Sequence, residues 1–148
     1  MSRKYVTYGD QTVTTSFKTA LSLISTAAIR PRVYEFAFSW DAAADNMQRI
    51  QISRHTADNT GSSVTPEPLN TGDPVSLTTS SSNHTGEPTI TANSFLLNIY
   101  AYQRAIYQIM LAPGYELIMP ATANAGLVFG SYHASNTDDV FVQARFEE

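Results

Sequence analysis

The sequence predicts an all-β fold, an antiparallel β-sandwich of the jelly-roll kind with about eight strands. Apolar and polar residues alternate with a period of two through most of the 148 residues, as they do in strands that bury one face. Clusters of turn-forming residues separate these runs. Only 15% of the residues are charged. Ser, Thr, Asn and Gln must therefore form much of the polar surface, and that mixture suits sheets better than helices.

The run at residues 33–40 is the clearest predicted strand, and it places an aromatic residue at every second position: Tyr34, Phe36, Phe38 and Trp40. Such a row is either an exposed platform on which sugar rings stack or the inner face of a sandwich. Large side chains are needed to fill the roughly 10 Å between two packed sheets. Because the row keeps a strict register, we expect it to lie in the core and to end in a tight turn at 41–46.

Other runs repeat this alternation. In 47–54, Ile50 and Ile52 alternate with polar residues. The run 105–111 places three residues on one face: Tyr107, Ile109 and Leu111. The C-terminal run 140–148 groups Val140, Val142, Ala144 and Phe146, opposite Phe141, Gln143 and Arg145. Weaker strands are predicted near 11–17, 18–25 and 87–92.

The segment "ANSFLLNIYAYQRAIY", residues 92–107, is compatible with two structures. A helical stripe would contain Leu96, Leu97, Tyr100, Arg104 and Tyr107. A strand would place on one face Phe95, Leu97, Ile99 and Ala101. The neighbouring runs are β-like, so the period-two match favours a strand over 93–107.

The chain is predicted to form one β-sandwich domain, residues 18–148, preceded by an N-terminal arm, residues 1–17. The arm has few residues typical of a core, and four of its residues would anchor it to a neighbouring subunit: Arg3, Lys4, Tyr5 and Tyr8. Residues 56–88 are rich in Pro, Gly, Ser and Thr and are too long for a hairpin, which predicts a surface excursion. A linker between two domains is rejected because neither half has enough strands to close a core.

Composition and spacing argue against several functional classes. The net charge is −4 and the basic residues are scattered, which argues against nucleic acid as a partner. There is no cysteine, and no apolar run is long enough to cross a membrane or to act as a signal peptide. The histidines are predicted to lie in polar loops or at strand ends, without metal-ligand spacing: His55, His84 and His133. We therefore expect a non-enzymatic protein with no metal and no cofactor.

Four stretches resemble a group of small structural proteins encoded beside the head genes of tailed bacteriophages: "YEFAFSWDAAADN", "EPTITAN", "YQRAIY" and "APGYELIMPATA". The resemblance extends over residues 28–148. It implies a capsid decoration (cement) protein, a β-sandwich that binds the outside of the assembled head as a trimer. The implied partners are the major capsid protein and further copies of the chain. The implied location is the virion exterior, after assembly in the host bacterial cytoplasm.

The tyrosines exceed what one core can hold, and tyrosine is common at interfaces, which supports a homotrimer. The residues expected to contact the capsid or other subunits are Arg3, Lys4, Tyr5, Tyr8, Tyr100 and Tyr102. The group that the sequence resembles has no catalytic motif, so no active-site residue is implied. A tail-fibre or carbohydrate-binding β-sandwich module is the alternative function.

Overall fold

The computed structural model describes residues 2–42, 45–135 and 137–148. These ranges contain twelve strands and no helix, hence no helix that could span a membrane. In chain order the strands are β1 (Lys4–Thr12), β2 (Lys18–Ile24), β3 (Arg32–Asp41), β4 (Met47–Ala57), β5 (Ser62–Val64), β6 (Glu67–Pro68), β7 (Thr79–Ser82), β8 (Thr89–Tyr102), β9 (Tyr107–Met110), β10 (Leu117–Ile118), β11 (Gly126–Tyr132) and β12 (Asp139–Glu147).

The strands form two antiparallel sheets that pack face to face. The order in sheet A is β10-β3-β12-β1-β6, and β9 also pairs with β3. The order in sheet B is β5-β7-β2-β11-β4-β8. Successive strands at both ends of the chain lie in opposite sheets, which is typical of jelly-roll sandwiches. The predicted all-β antiparallel sandwich is confirmed.

The core between the sheets is filled by residues that the alternation selects. Phe36 and Phe38 of β3 are buried, and their ring centroids lie 5.9 and 6.5 Å from that of Phe129 in β11. Ile50 and Ile52 of β4 belong to the same cluster. The β12 residues predicted to share a face are buried there as well: Val140, Val142, Ala144 and Phe146. Burial of each large apolar side chain stabilises the fold by about 1.5–3 kcal/mol.

A β-bulge interrupts the aromatic row of β3 at Tyr34. The pairing of β3 with β12 shifts between Val33 and Glu35, so that Tyr34 is the extra residue. Val33 takes the buried inner position, and Tyr34 is half-buried, with its ring centroid 5.5 Å from Lys4 Nζ. The prediction that Tyr34 shares the inner face is wrong because one extra residue reverses the alternation. Trp40 stays in the row and packs against the core, partly buried.

Residues 4–12 form β1, which lies inside sheet A between β12 and β6. It pairs with β12 along its whole length, from Lys4 opposite Glu147 to Thr12 opposite Asp139. The prediction of a separate N-terminal arm is therefore wrong for these residues. The weak strand predicted near 11–17 is also misplaced, since β1 ends at Thr12.

The inner face of β1 carries mostly small or polar residues, which explains why its pattern does not predict a core strand. Only Tyr5 is large among them, and it is fully buried. Thr7 Oγ1 lies 2.6 Å from Ser80 Oγ across the sandwich. A Cβ at Gly9 would lie 2.2 Å from the Ala20 carbonyl oxygen, so the backbones of β1 and β2 meet more closely than any side chain permits.

The predicted surface excursion, residues 56–88, contains the end of β4 and three short strands. β6 pairs with β1 of sheet A, and β7 pairs with β2 of sheet B. The segment therefore links the two sheets on this side of the sandwich. Gln11 Nε2 donates to the His84 carbonyl oxygen at 2.7 Å, and the Asn83 amide donates to the Asp10 carbonyl oxygen at 2.9 Å. This side is closed by hydrogen bonds and small residues.

The close approach at Gly9 gives a test of the fold. We expect Gly9→Ala to lower the free energy of unfolding by about 3 kcal/mol, because the added methyl group would collide with the backbone of β2. Urea unfolding measures this change. Gly72→Ala is the matched control, since a Cβ at Gly72 would lie 3.7 Å from its nearest neighbour, Asn70 Oδ1. Equal stability losses in the two variants would contradict the close approach.

Candidate functional site

Strand β8 forms one edge of sheet B, with β4 as its neighbour. Its 14 residues, "TITANSFLLNIYAY", include no Lys, Arg, Asp or Glu. Among the described residues no strand pairs with its outer side, where backbone N–H and C=O groups remain available. Soluble proteins usually protect such an edge with charged side chains or prolines, or keep it short. A long uncharged edge therefore indicates a surface that binds a partner.

The strand predicted for 93–107 is confirmed as far as Tyr102, where β8 ends. A turn at 103–106 interrupts it, and Tyr107 begins β9. Leu97, Ile99 and Ala101 pack against the core, as the alternation requires. Phe95 was expected on the same face but is 41% exposed. The pairing of β8 with β4 shifts between Leu97 and Phe95, and Leu96 is the extra residue. This second bulge leaves both Phe95 and Leu96 exposed.

The C-terminal half of β8 presents more apolar surface on the outer face of sheet B. Tyr100 and Tyr102 are 62% and 58% exposed, and Met47 lies opposite Tyr102. Arg49 lies opposite Tyr100 and is held by hydrogen bonds to Asn98 and to the Tyr132 hydroxyl. Exposed apolar residues gathered in one place mark interaction surfaces. We call this surface the apolar edge, formed by Met47, Phe95, Leu96, Tyr100 and Tyr102.

The other predicted contact residues lie elsewhere, on or beside β1. Arg3 and Lys4 are exposed at the start of this strand. Tyr5 is fully buried, its ring stacked on Phe146 at 5.5 Å, so it is not available to a partner in this fold. Tyr8 is exposed on the outer face of sheet A. The six predicted contact residues therefore do not form one surface, and only Tyr100 and Tyr102 belong to the apolar edge.

The face of sheet B that points away from the core carries a buried group that we call the polar layer: Ser22, His55, Asp58, Ser81 and His84. His55 Nε2 donates to a β2 backbone carbonyl oxygen at 2.9 Å. His84 Nε2 lies 3.2 Å from Ser22 Oγ and 3.4 Å from Asp58 Oδ1. Ser81 Oγ donates to Asp58 Oδ2 at 3.3 Å. His84 lies in the loop after β7 and His55 lies near the end of β4, as predicted, but both side chains are buried, at 3% and 2% exposed.

The geometry of the polar layer is that of packing and not of a catalytic triad. In a triad, the serine and the carboxylate contact different nitrogens of the imidazole. Here Ser22 and Asp58 both approach Nε2 of His84. Within the described ranges, no three His, Asp or Glu side chains are placed to hold a metal ion. The polar layer instead ties the segments that follow β4 and β7 to sheet B.

A glycine makes room for the polar layer. A Cβ at Gly126 of β11 would lie 2.9 Å from His55 Nε2 and 1.9 Å from the Leu23 carbonyl oxygen. Glycine within a strand often marks a place where another group approaches the backbone closely. The glycine at the start of "GLVFGSY" was therefore the signal in the sequence that a buried group lies against this strand.

Burial changes the protonation of the polar layer. Burial lowers the pKa of His55, and this effect outweighs the hydrogen bond to Leu23 and the nearby Asp58 charge, which both raise it. Burial also raises the pKa of Asp58, but hydrogen bonds with His84 and Ser22 outweigh it, so that the Asp58 pKa is lowered overall. His55 is thus neutral and Asp58 ionised at pH 7.

The apolar edge and the polar layer are the features in which this fold departs most from an ordinary sandwich. Searches against models of known protein families, curated proteins and solved structures find nothing that matches this chain. A functional assignment therefore depends on the chain's own surfaces. Of the two features, only the apolar edge is accessible to a partner.

The lowered pKa of His55 predicts acid sensitivity. The unfolded chain binds a proton at His55 near pH 6.5, whereas the folded chain binds it only at lower pH. The free energy of unfolding should therefore fall below pH 6.5, by up to about 1.4 kcal/mol per pH unit, until the folded pKa is reached. Asp58 adds nothing in this window, because its folded pKa lies below 3.8.

The free energy of unfolding in urea is measured between pH 7.5 and pH 5 for the wild type and for His55→Gln. The glutamine keeps a side-chain hydrogen-bond donor but cannot titrate. The variant should lose less stability on acidification. The control is His133→Gln, which makes the same replacement at a histidine outside the polar layer. If the slopes of the wild type and His55→Gln were the same, His55 would not be the group that titrates.

Proposed function

We propose that this protein is a non-enzymatic capsid decoration (cement) protein of a tailed bacteriophage, which binds the assembled head and stabilises it. The observation that carries this proposal is the apolar edge on β8, a 14-residue edge strand without a charged residue. A protein that remained alone in solution would expose this edge to aggregation. A protein that is incorporated into a capsid lattice instead buries this edge against its neighbours.

The sequence resemblance to phage head proteins supplies the partner, the major capsid protein. A lattice offers the same binding site many times over. A protein that binds the assembled shell but not its loose subunits stabilises the shell by mass action, even where each contact is modest. The location that follows is the virion exterior, after folding in the bacterial cytoplasm. The proposed role involves no nucleic acid, membrane or cofactor.

The proposed oligomer is a homotrimer. In a ring of three, each contact joins two different surfaces, so the apolar edge of one copy would meet another surface of the next copy. Tyr100 and Tyr102 are suited to this contact, because tyrosine combines a large apolar ring with a hydroxyl group and is enriched at interfaces. The same edge strand offers backbone hydrogen bonds to an added strand.

An aromatic platform for carbohydrate would require the row of β3 to be exposed. Phe36 and Phe38 of that row are buried and contact Phe129 across the core. The row therefore supports the sandwich and presents no platform. The apolar edge is the exposed feature that favours capsid decoration.

The apolar edge can be tested with the double variant Tyr100→Lys/Tyr102→Lys. Two ammonium groups cannot be desolvated without a partner charge, so we expect trimer dissociation and at least about tenfold weaker binding to heads. Light scattering measures the oligomer, and co-sedimentation with heads that lack the protein measures binding. The matched control is Tyr115→Lys, since Tyr115 is 77% exposed and lies outside the apolar edge.

Two results would contradict the proposal. Heads that lack the protein and survive heating as well as complete heads would remove the cementing role. Detection of the protein in the tail, and not at a copy number comparable to that of the major capsid protein, would favour the tail-fibre alternative. A monomeric wild type at micromolar concentration would contradict only the preformed trimer.

A further inference from the structure

The outer face of sheet A contains a groove that none of the features above explains. Its residues come from four strands and one turn. Tyr8 of β1 lies opposite Gln143 of β12, which lies opposite Ala37 of β3. The groove has a volume of about 360 Å³, and Ala37 and Ser39 form its floor. Small side chains in the middle of a sheet face leave a hollow that larger neighbours enclose.

One wall of the groove is aromatic. Tyr8 and Phe141 line it and are 64% and 44% exposed. Phe141 lies two residues from Gln143, the partner of Tyr8, so the two aromatic residues are diagonal neighbours on the same face. Such neighbours are about 7–8 Å apart. The opposite wall is formed by Ile106 and Gln108.

The polar groups of the groove carry no charge. They are the Gln143 and Gln108 amides and the Ser39 hydroxyl, which both donate and accept hydrogen bonds. Beside the groove, the Glu35 carboxylate accepts a hydrogen bond from Gln108 Nε2 and a second from Arg145 at 2.8 Å. Its charge is therefore balanced within the protein. None of the residues that line the groove is charged, so a charged ligand would find no counter-charge among them.

We infer that this groove binds a neutral carbohydrate chain. A sugar ring has an apolar C–H face, which matches the Tyr8 and Phe141 rings, and a rim of hydroxyl groups, which matches amides and a serine hydroxyl. A peptide strand would instead need a free sheet edge for its backbone, and the groove lies over the face of the sheet.

A second hollow of about 410 Å³ adjoins the groove and shares Ser39 and Ile106 with it. The lining of this second hollow includes Trp40 and one charged residue, Arg104. The site is separate from the apolar edge. The inference therefore goes beyond capsid decoration and does not depend on it.

An array of neutral and acidic oligosaccharides identifies the ligand, and calorimetry with the best neutral oligosaccharide measures its affinity. Tyr8→Ala and Phe141→Ala should each weaken binding about tenfold, since each removes one stacking ring. Tyr8→Phe keeps the ring and should change affinity less than about threefold. Tyr115→Ala removes an exposed ring outside the groove and should change nothing.

Thermal unfolding of each variant separates lost binding from lost folding. If Phe141→Ala were unstable, Gln143→Glu would replace it, since it keeps the side-chain size and places a charge in the groove. Binding to acidic sugars alone, or to none of the array, would overturn the inference. So would a loss of head binding in Tyr8→Ala and Phe141→Ala, because the groove would then be a protein contact. Head binding unchanged in these variants, with sugar binding reduced, supports it.

Discussion

The close approach of β1 to β2 at Gly9 is the constraint on which the rest of the sandwich depends. Packed sheets usually lie about 10 Å apart and leave room for large side chains. Here backbone contacts backbone, and Gly9, Ala20 and Thr7 are small enough to allow it. The large aromatic rings pack in a different part of the core, around Phe38 and Phe129. Side-chain size is thus distributed unevenly between the sheets. The side where β1 meets β2 contains small residues and is closed by hydrogen bonds, and the side with β8 has an exposed edge.

Much of the fold can be predicted from the sequence, because most strands bury one face. The alternation identifies the core residues of β4 and β12 and favours a strand for β8. It fails where the pleat is broken: the bulges at Tyr34 and Leu96 reverse which residues face inward. It also fails for β1, since the inner face of that strand contacts polar groups. Hydrophobic periodicity detects burial against apolar groups and does not detect burial against hydrogen-bonding ones.

The candidate sites were less predictable for a different reason. The surplus of tyrosines pointed to Tyr100 and Tyr102, but the exposure of Phe95 depends on a bulge that no local pattern announces. The polar layer and the groove combine residues from distant parts of the chain, such as His55 with His84 and Tyr8 with Phe141. Each member is unremarkable in its own segment. Only the pairing of strands brings these residues together, and local patterns in a single sequence do not predict that pairing.

The pairing of β1 with β12 along its whole length also governs how the chain is made. Synthesis proceeds from the N-terminus, so β1 leaves the ribosome long before β12 exists. β12 lies between β3 and β1, and sheet A therefore lacks its centre until β12 has been synthesised. Contacts between such distant segments also form slowly. A chain that stops before Asp139 lacks the strand that joins β3 to β1, so it cannot complete sheet A and leaves the inner face of sheet B without its partner.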